Sequence, residues 1–279
     1  MLIDDIISST SLYNLHSHTQ YCDGRFTMDE FAEAAARAGF MHYGFSPHSP
    51  VPIESPCNMK AADVPDFLAA VARLNDEYDG NIRFYAAMEI DYLGEKWGAS
   101  HEYFRNLPLD YRISSVHFIP ALTTGEEVDI DGSPERFIKR LGEYFDNDVR
   151  YVVDTFYDRT RDMILAGGFD IIGHFDKIGL NASVACPGIE DEPWYRRRAD
   201  ETIELLAERD IFVEINTKAF AQRHRFFPHE RYWKQLIDRG LKLVVNSDAH
   251  YTDLINASRD EALRRLSAYT HQLDLKHER

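Results

Sequence analysis

His16 and His18 stand two residues apart at the end of the apolar run Leu12-Tyr13-Asn14-Leu15, and Asp23 follows in the next stretch of chain. In an extended backbone, residues two apart project to the same side. Both imidazoles can therefore aim at one point just past a strand end. Two imidazoles so placed chelate a metal without any unusual backbone shape. Towards the other end of the chain, Val244-Val245-Asn246-Ser247-Asp248-Ala249-His250 repeats the arrangement. Again an apolar run leads into two potential ligands spaced two apart.

Similar endings recur between these two. They are Gly44-Phe45-Ser46-Pro47-His48, Ala87-Met88-Glu89-Ile90-Asp91, Ser114-Ser115-Val116-His117, Ile171-Ile172-Gly173-His174 and Glu214-Ile215-Asn216. The candidate ligands are His16, His18, Asp23, His48, Glu89, His117, His174, Asp248 and His250. Nitrogen and oxygen donors without thiolate suit Zn, Mn or Fe. Nine donors exceed what one such ion takes, so two to three divalent ions are expected, with Glu89 bridging. Adjacent ions can hold both oxygens of a phosphoester displacement and acidify a water. The chemistry read from these residues is metal-assisted hydrolysis, with phosphate esters as the leading substrates. Asp91 is expected to lean away from the site or out to solvent. Taken singly, each residue has an ordinary explanation. A lone His117 or His174 is a buried histidine, Asp23-Gly24 is a turn signal, and Glu89 is a paired carboxylate. Their joint occurrence at strand end after strand end is what points to a site.

These residues need elements to position them. Short apolar segments rich in Val, Ile, Phe or Tyr predict strands at 12–16, 42–46, 83–90, 112–117, 170–174, 211–216 and 242–247. Helical spacing marks 28–38, 63–78, 194–209 and 253–268. The first follows the capping-box sequence Thr27-Met28-Asp29-Glu30 and ends at Gly39. Residues 133–166 read as two helices broken near Asp146-Asn147-Asp148. Strands alternating with helices predict a mostly parallel α/β sheet. Ligands at the C-terminal ends of nearly every strand meet only if the strands form a ring, so a βα barrel is expected. No linker and no internal repeat divides the chain, and one domain over 1–279 is expected.

Composition narrows the partners. Lys and Arg number 31 against 47 Asp and Glu, a formal charge of -16. Such a surface repels nucleic acid and anionic membranes, and an anionic substrate needs metals or local arginines. No apolar run approaches the ~20 residues that span a bilayer. Met1-Leu2-Ile3-Asp4-Asp5 carries acids where a signal peptide carries bases, so a cytoplasmic location is expected. Cys22, Cys57 and Cys186 form no CxxC pair, which fits a reducing compartment. Cys22, beside Asp23, is expected to be a small half-buried side chain rather than a nucleophile.

The order His-x-His, Cys-Asp-Gly, Ser-Pro-His, Glu, Ser-x-His, Gly-His, Asp-x-His resembles the polymerase-and-histidinol-phosphatase (PHP) family, from His16 to His250. Tyr21-Cys22-Asp23-Gly24, Phe45-Ser46-Pro47-His48-Ser49-Pro50, the stretch near Cys57-Asn58 and Glu214-Ile215-Asn216-Thr217 resemble its monofunctional histidinol-phosphatases. The resemblance implies a distorted (β/α)7, TIM-like barrel and a trinuclear site. In that site His16, His18, Glu89 and Asp248 would hold one ion, and Glu89, His117 and His174 a second. Asp23, His48 and His250 would hold the third. It further implies catalysis by Glu89, Asp248 and His250 through a metal-bridging hydroxide, and hydrolysis of L-histidinol phosphate in histidine biosynthesis. The loop Lys218-Ala219-Phe220-Ala221-Gln222-Arg223-His224-Arg225 departs from the small-residue turn usual in the family. Arg225 and Arg223 are expected to grip phosphate there, with Arg159 and Arg161 as further candidates. The competing readings are a PHP phosphoesterase for nucleotide or sugar phosphates, a polymerase-type exonuclease and a metal-binding domain without catalysis. The acidic surface argues against the exonuclease, and the full ligand set argues against the inert domain.

Overall fold

Alternating apolar residues on short strands build a ring with two separate apolar zones. The computed structural model describes residues 2–277. Its strands are β1 (Tyr13–Asn14), β2 (His42–Phe45), β3 (Arg83–Asp91), β4 (Tyr111–Ser115), β5 (Phe118–Pro120), β6 (Glu127–Asp129), β7 (Ile171–Ile172), β8 (Phe212–Asn216) and β9 (Lys242–Asn246). Seven of them form one sheet in the order β1-β2-β3-β4-β7-β8-β9, and every neighbouring pair is parallel. β5 and β6 make an antiparallel hairpin beside the ring, which the sequence pattern did not indicate. The fold is the expected distorted, nearly closed (β/α)7 barrel.

The helices are α1 (Leu2–Ser9), α2 (Met28–Arg37), α3 (Val64–Tyr78), α4 (Glu102–Arg105), α5 (Pro134–Tyr144), α6 (Val149–Ala166), α7 (Ile178–Ala185), α8 (Pro193–Ala207), α9 (Phe220–Arg223), α10 (Trp233–Asp238) and α11 (Arg259–His277). The capping box on α2 forms as expected: the Thr27 hydroxyl accepts from the Glu30 N–H, and the Glu30 carboxylate accepts from the Thr27 N–H at 2.8 Å. The break between α5 and α6 falls where Asp146 and Asn147 take left-handed backbone, at φ 50° and 59°. Among the described residues, no helix is long and apolar enough to cross a membrane.

Period-two alternation sorts β3 between the zones. Phe84, Ala86, Met88 and Ile90 pack outward among the helices. Tyr85 and Ala87 join Leu15, Tyr111, Ile113, Phe212 and Val244 inside the ring. Ile3 and Ile6 of α1 pack into this inner zone. They close the end at which the strands begin, so the opposite mouth is the open one. Tyr111 crosses the interior, and its hydroxyl donates to the Leu15 carbonyl at 2.6 Å. Gly44 is required there, because a Cβ on it would lie 1.7 Å from that hydroxyl.

Side chains do much of the work of closing the ring between β1 and β9. The Leu15 N–H donates to Asn246 Oδ1 at 2.9 Å, and the Ser247 N–H donates to Asn14 Oδ1 at 2.8 Å. Beyond them a parallel bridge joins Ser17 to Ala249, and the His18 N–H donates to the Ala249 carbonyl at 2.8 Å. This seam carries the two paired motifs, His16/His18 and Asp248/His250, to one place.

Candidate metal centre

The inward face of β3 delivers Glu89 into the middle of the mouth, where it is 1% exposed. Its two oxygens face different histidines. Oε1 lies 2.8 Å from His174 Nε2 and 3.5 Å from His117 Nε2. Oε2 lies 3.3 Å from His16 Nε2, 3.4 Å from His18 Nε2 and 3.2 Å from His48 Nδ1. The Ser115 hydroxyl donates to Oε1 at 2.7 Å. A carboxylate so placed can serve two ions at once.

Eight of the nine candidate ligands converge here directly. Their donor atoms gather into three groups, each within 4.8 Å: His18, Asp23, His48 and His250; His16, His18 and Asp248; and His48, Glu89 and His117. The groups overlap, with His18 and His48 each in two of them, and Glu89 stands with His48 and His117 rather than with His16, His18 and Asp248. His174 meets the centre through Glu89 and through His117, whose Nε2 is 3.4 Å away. Imidazole nitrogens face each other again at His16 and His18, 3.2 Å apart. Asp23 Oδ1 and His48 Nδ1 are buried without a hydrogen-bond partner. Facing donors, orphaned acceptors and clustered carboxylates are the geometry divalent ions would satisfy, so the residues fit two to three of them.

Further residues fix these donors in orientation. Glu214 is fully buried on β8 and accepts from His16 Nδ1 at 2.6 Å. Burial opposes charge on His16, but the carboxylates of Glu214, Glu89 and Asp248 outweigh it and raise its pKa well above the usual range. Burial dominates at His18, where the neighbouring His250 and His48 add to it and hold the pKa well below that range. Asn216 donates to Asp248 Oδ2 at 3.1 Å. Two of the donors sit on left-handed backbone, His174 at φ 22° and Asp248 at φ 50°. Such conformations cost of order 1–3 kcal/mol and persist where surroundings over-determine them. Here Glu214 accepts the His174 N–H at 3.2 Å.

Asp91 corrects an expectation. It is buried rather than turned away, and it accepts from His117 Nδ1 at 2.7 Å. Its other oxygen accepts from Asn58 Nδ2 at 2.6 Å. Asp91 thus orients a candidate metal ligand from behind. Neutralising such a partner typically costs 10–100-fold in metal affinity or activity. Asp91→Asn is therefore expected to lower kcat/KM by about ten- to hundredfold. Steady-state kinetics within twofold of wild type would leave Asp91 a bystander.

A cavity of about 410 Å³ opens over the donors, with Asp23, His48, His117 and His250 in its wall. Lys177, Lys218, Arg136 and Arg223 also line it. Lys218 Nζ lies 3.2 Å from Asp248 Oδ1 and 3.3 Å from His250 Nε2. Arg223 is exposed and makes no ion pair among the described residues. The expected role of Arg225 is corrected. The residue is 7% exposed, and its guanidinium forms a bidentate pair with Glu190 at 2.8 Å, plus a bond to Asp176 at 3.0 Å. Arg159 is likewise committed elsewhere, to both oxygens of Glu127 at 2.8 and 2.7 Å. Arg161 is exposed and pairs with Asp162 at 3.1 Å. Cys22 is half-buried, as expected, with burial pushing its thiol up to about 12.

The PHP-domain family model matches residues 14–218. The chain belongs to the PHP-domain family. A Deinococcus radiodurans protein named probable histidinol-phosphatase is 25% identical over 248 residues, covering 86% of this chain and 87% of its own. The crystal structure of hisK from Listeria monocytogenes superposes with a TM-score of 0.77 at 17% identity, covering 89% of this chain and 99% of that one. Histidinol phosphate phosphatase from Lactococcus lactis, solved with zinc, L-histidinol and phosphate, gives 0.66 at 17% identity, covering 92% and 93%. Both structures share the PHP barrel with this chain.

Proposed function

We propose that this chain is a metal-dependent phosphomonoesterase that hydrolyses L-histidinol phosphate to L-histidinol and phosphate. The observation that carries it is the convergence of nitrogen and oxygen donors beneath a cavity that Lys218 and Arg223 also line. The names of the Deinococcus and Lactococcus proteins support the choice of ester. Three free cysteines favour the cytoplasm, where thiols stay reduced.

His16, His18, Asp23, His48, Glu89, His117, His174, Asp248 and His250 would hold the ions. Divalent ions bound there supply Lewis acidity toward the phosphoryl oxygens and toward an attacking water. The chain supplies orientation. Glu89, Asp248 and His250, with the supports Glu214, Asp91 and Asn216, fix the donors before substrate arrives. Lys218 presents its ammonium beside Asp248 and His250, where phosphoryl charge would accumulate. Arg223 takes the clamp role, since its planar fork is uncommitted and faces the cavity.

Two measurements follow from the residues. Metal-replete protein is expected to carry two to three first-row ions per chain and to lose activity on chelation; elemental analysis giving one ion or fewer would overturn the multinuclear centre. Arg223→Ala is expected to raise KM with metal content unchanged. The lost charge-assisted contact is worth ~1.5–3 kcal/mol, or about ten- to hundredfold in kcat/KM. The substrate itself is tested by turnover of L-histidinol phosphate against nucleotide and sugar phosphates. The highest kcat/KM is expected on the first. A nucleotide or sugar phosphate at least as good would move the chain to the other phosphoesterase reading.

A further inference from the structure

The lining of the cavity also carries acids, which a phosphate-binding cavity does not need. Asp129 and Asp131 both line it, at the end of the β5–β6 hairpin. Asp129 is spent on the protein: Oδ1 accepts the Asp131 N–H at 2.8 Å, and Oδ2 lies 2.9 Å from both Arg136 and Arg140. Asp131 is different. Its Oδ2 accepts from Lys177 Nζ at 2.6 Å, while Oδ1 has no protein partner among the described residues. The side chain of Asp131 remains 32% exposed, in a residue that lines the cavity. The Ile130 N–H donates to the His117 carbonyl at 2.9 Å, which fixes Asp131 beside the metal centre.

An aspartate here weakens Lys177 as an anion binder, and repels a phosphate dianion by itself. That arrangement is useful only to a ligand that brings its own cation. We infer that Asp131 is a specificity-determining residue that accepts the ammonium group of an amino-alcohol phosphate through its free oxygen. Lys177, itself a lining residue of the cavity, holds Asp131 in place. A zwitterionic pair in the wall thus reads a zwitterionic ester. Esters lacking the amine leave the Asp131 oxygen desolvated and unpaired, which disfavours them. The inference deepens the reading above and rests on it for the ester, though not for the amine.

The test compares kcat/KM for L-histidinol phosphate and its deamino analogue, 3-(imidazol-4-yl)propyl phosphate, in wild type, Asp131→Asn and Asp131→Glu. The wild-type preference for the amine is expected to collapse by about ten- to hundredfold in Asp131→Asn, the size of one charge-assisted contact. Asp131→Glu should restore part of it. Equal losses on both esters would reduce Asp131 to a structural support for Lys177 and overturn the inference. An unchanged preference would overturn it too. The same variants are assayed with 2-aminoethyl phosphate against ethyl phosphate. A wild type poor on histidinol phosphate that still prefers the aminated short ester, with that preference lost in Asp131→Asn, would sink the substrate reading and sustain the inference. Absence of amine preference in both ester pairs would overturn the inference whatever the substrate.

Discussion

Glu89→Gln is expected to lose about 10³-fold or more in kcat/KM, with at least one bound ion lost per chain. The amide keeps the shape of the carboxylate, so packing around it survives. It cannot present two anionic oxygens to opposite sides, which is what Glu89 does towards His117 and His174 on one side and His16, His18 and His48 on the other. Metal ions supply several kcal/mol of charge stabilisation in such reactions, and each ~1.4 kcal/mol is tenfold in rate. The loss should exceed that of Asp91→Asn, which touches one ligand from behind. Elemental analysis and single-turnover kinetics on folded protein check it. Full metal content with activity within tenfold of wild type would place the bridge elsewhere.

Arg225→Ala is expected to unfold the protein more readily rather than weaken substrate binding. The substitution strips the counter-charge from Asp176, which is fully buried, and from Glu190, which is 8% exposed. Burial pushes the Asp176 carboxyl up to about 6 even with the guanidinium beside it. Breaking a buried pair by removing one partner costs roughly 3–5 kcal/mol. At about 2–4 °C per kcal/mol for a chain of this size class, the melting temperature should fall by roughly 6–20 °C. KM of the folded fraction should stay near wild type. A raised KM with an unchanged melt would return Arg225 to the substrate.

The difference between Arg223 and Arg225 shows where sequence reading stops. Both were expected to reach phosphate because they are close in sequence to Asn216. Between them His224 takes left-handed backbone at φ 52° and ends α9; Arg223 lines the cavity and Arg225 is buried. Nothing local in a histidine predicts that conformation. Arg159 was illegible for another reason: its partner Glu127 lies on a hairpin whose strands are three residues each, too short for a periodic signal. Glu214 was visible as a strand residue, but its bond to His16 spans most of the chain. The barrel and the donors were legible because both follow from period-two alternation at strand ends. The same rule places Asp91 on the face of Glu89, so its inward position follows from the sequence.

The seam between β1 and β9 sets when the centre can exist. His16 and His18 are made early and Asp248 and His250 late, yet the four meet across one pair of strands. At ~5–20 residues per second, a ribosome needs on the order of 10–50 s to travel from the first pair to the second. During that interval the early histidines are exposed imidazoles with no complete set of companions. The two donor groups that include Asp248 or His250 are complete only once the first and last strands have met, and ions that bind only the finished ring would stabilise it by mass action. The bound ions would act as a clasp between the first and last strands of the ring, and a product terminated before β9 would lack the half that fastens it.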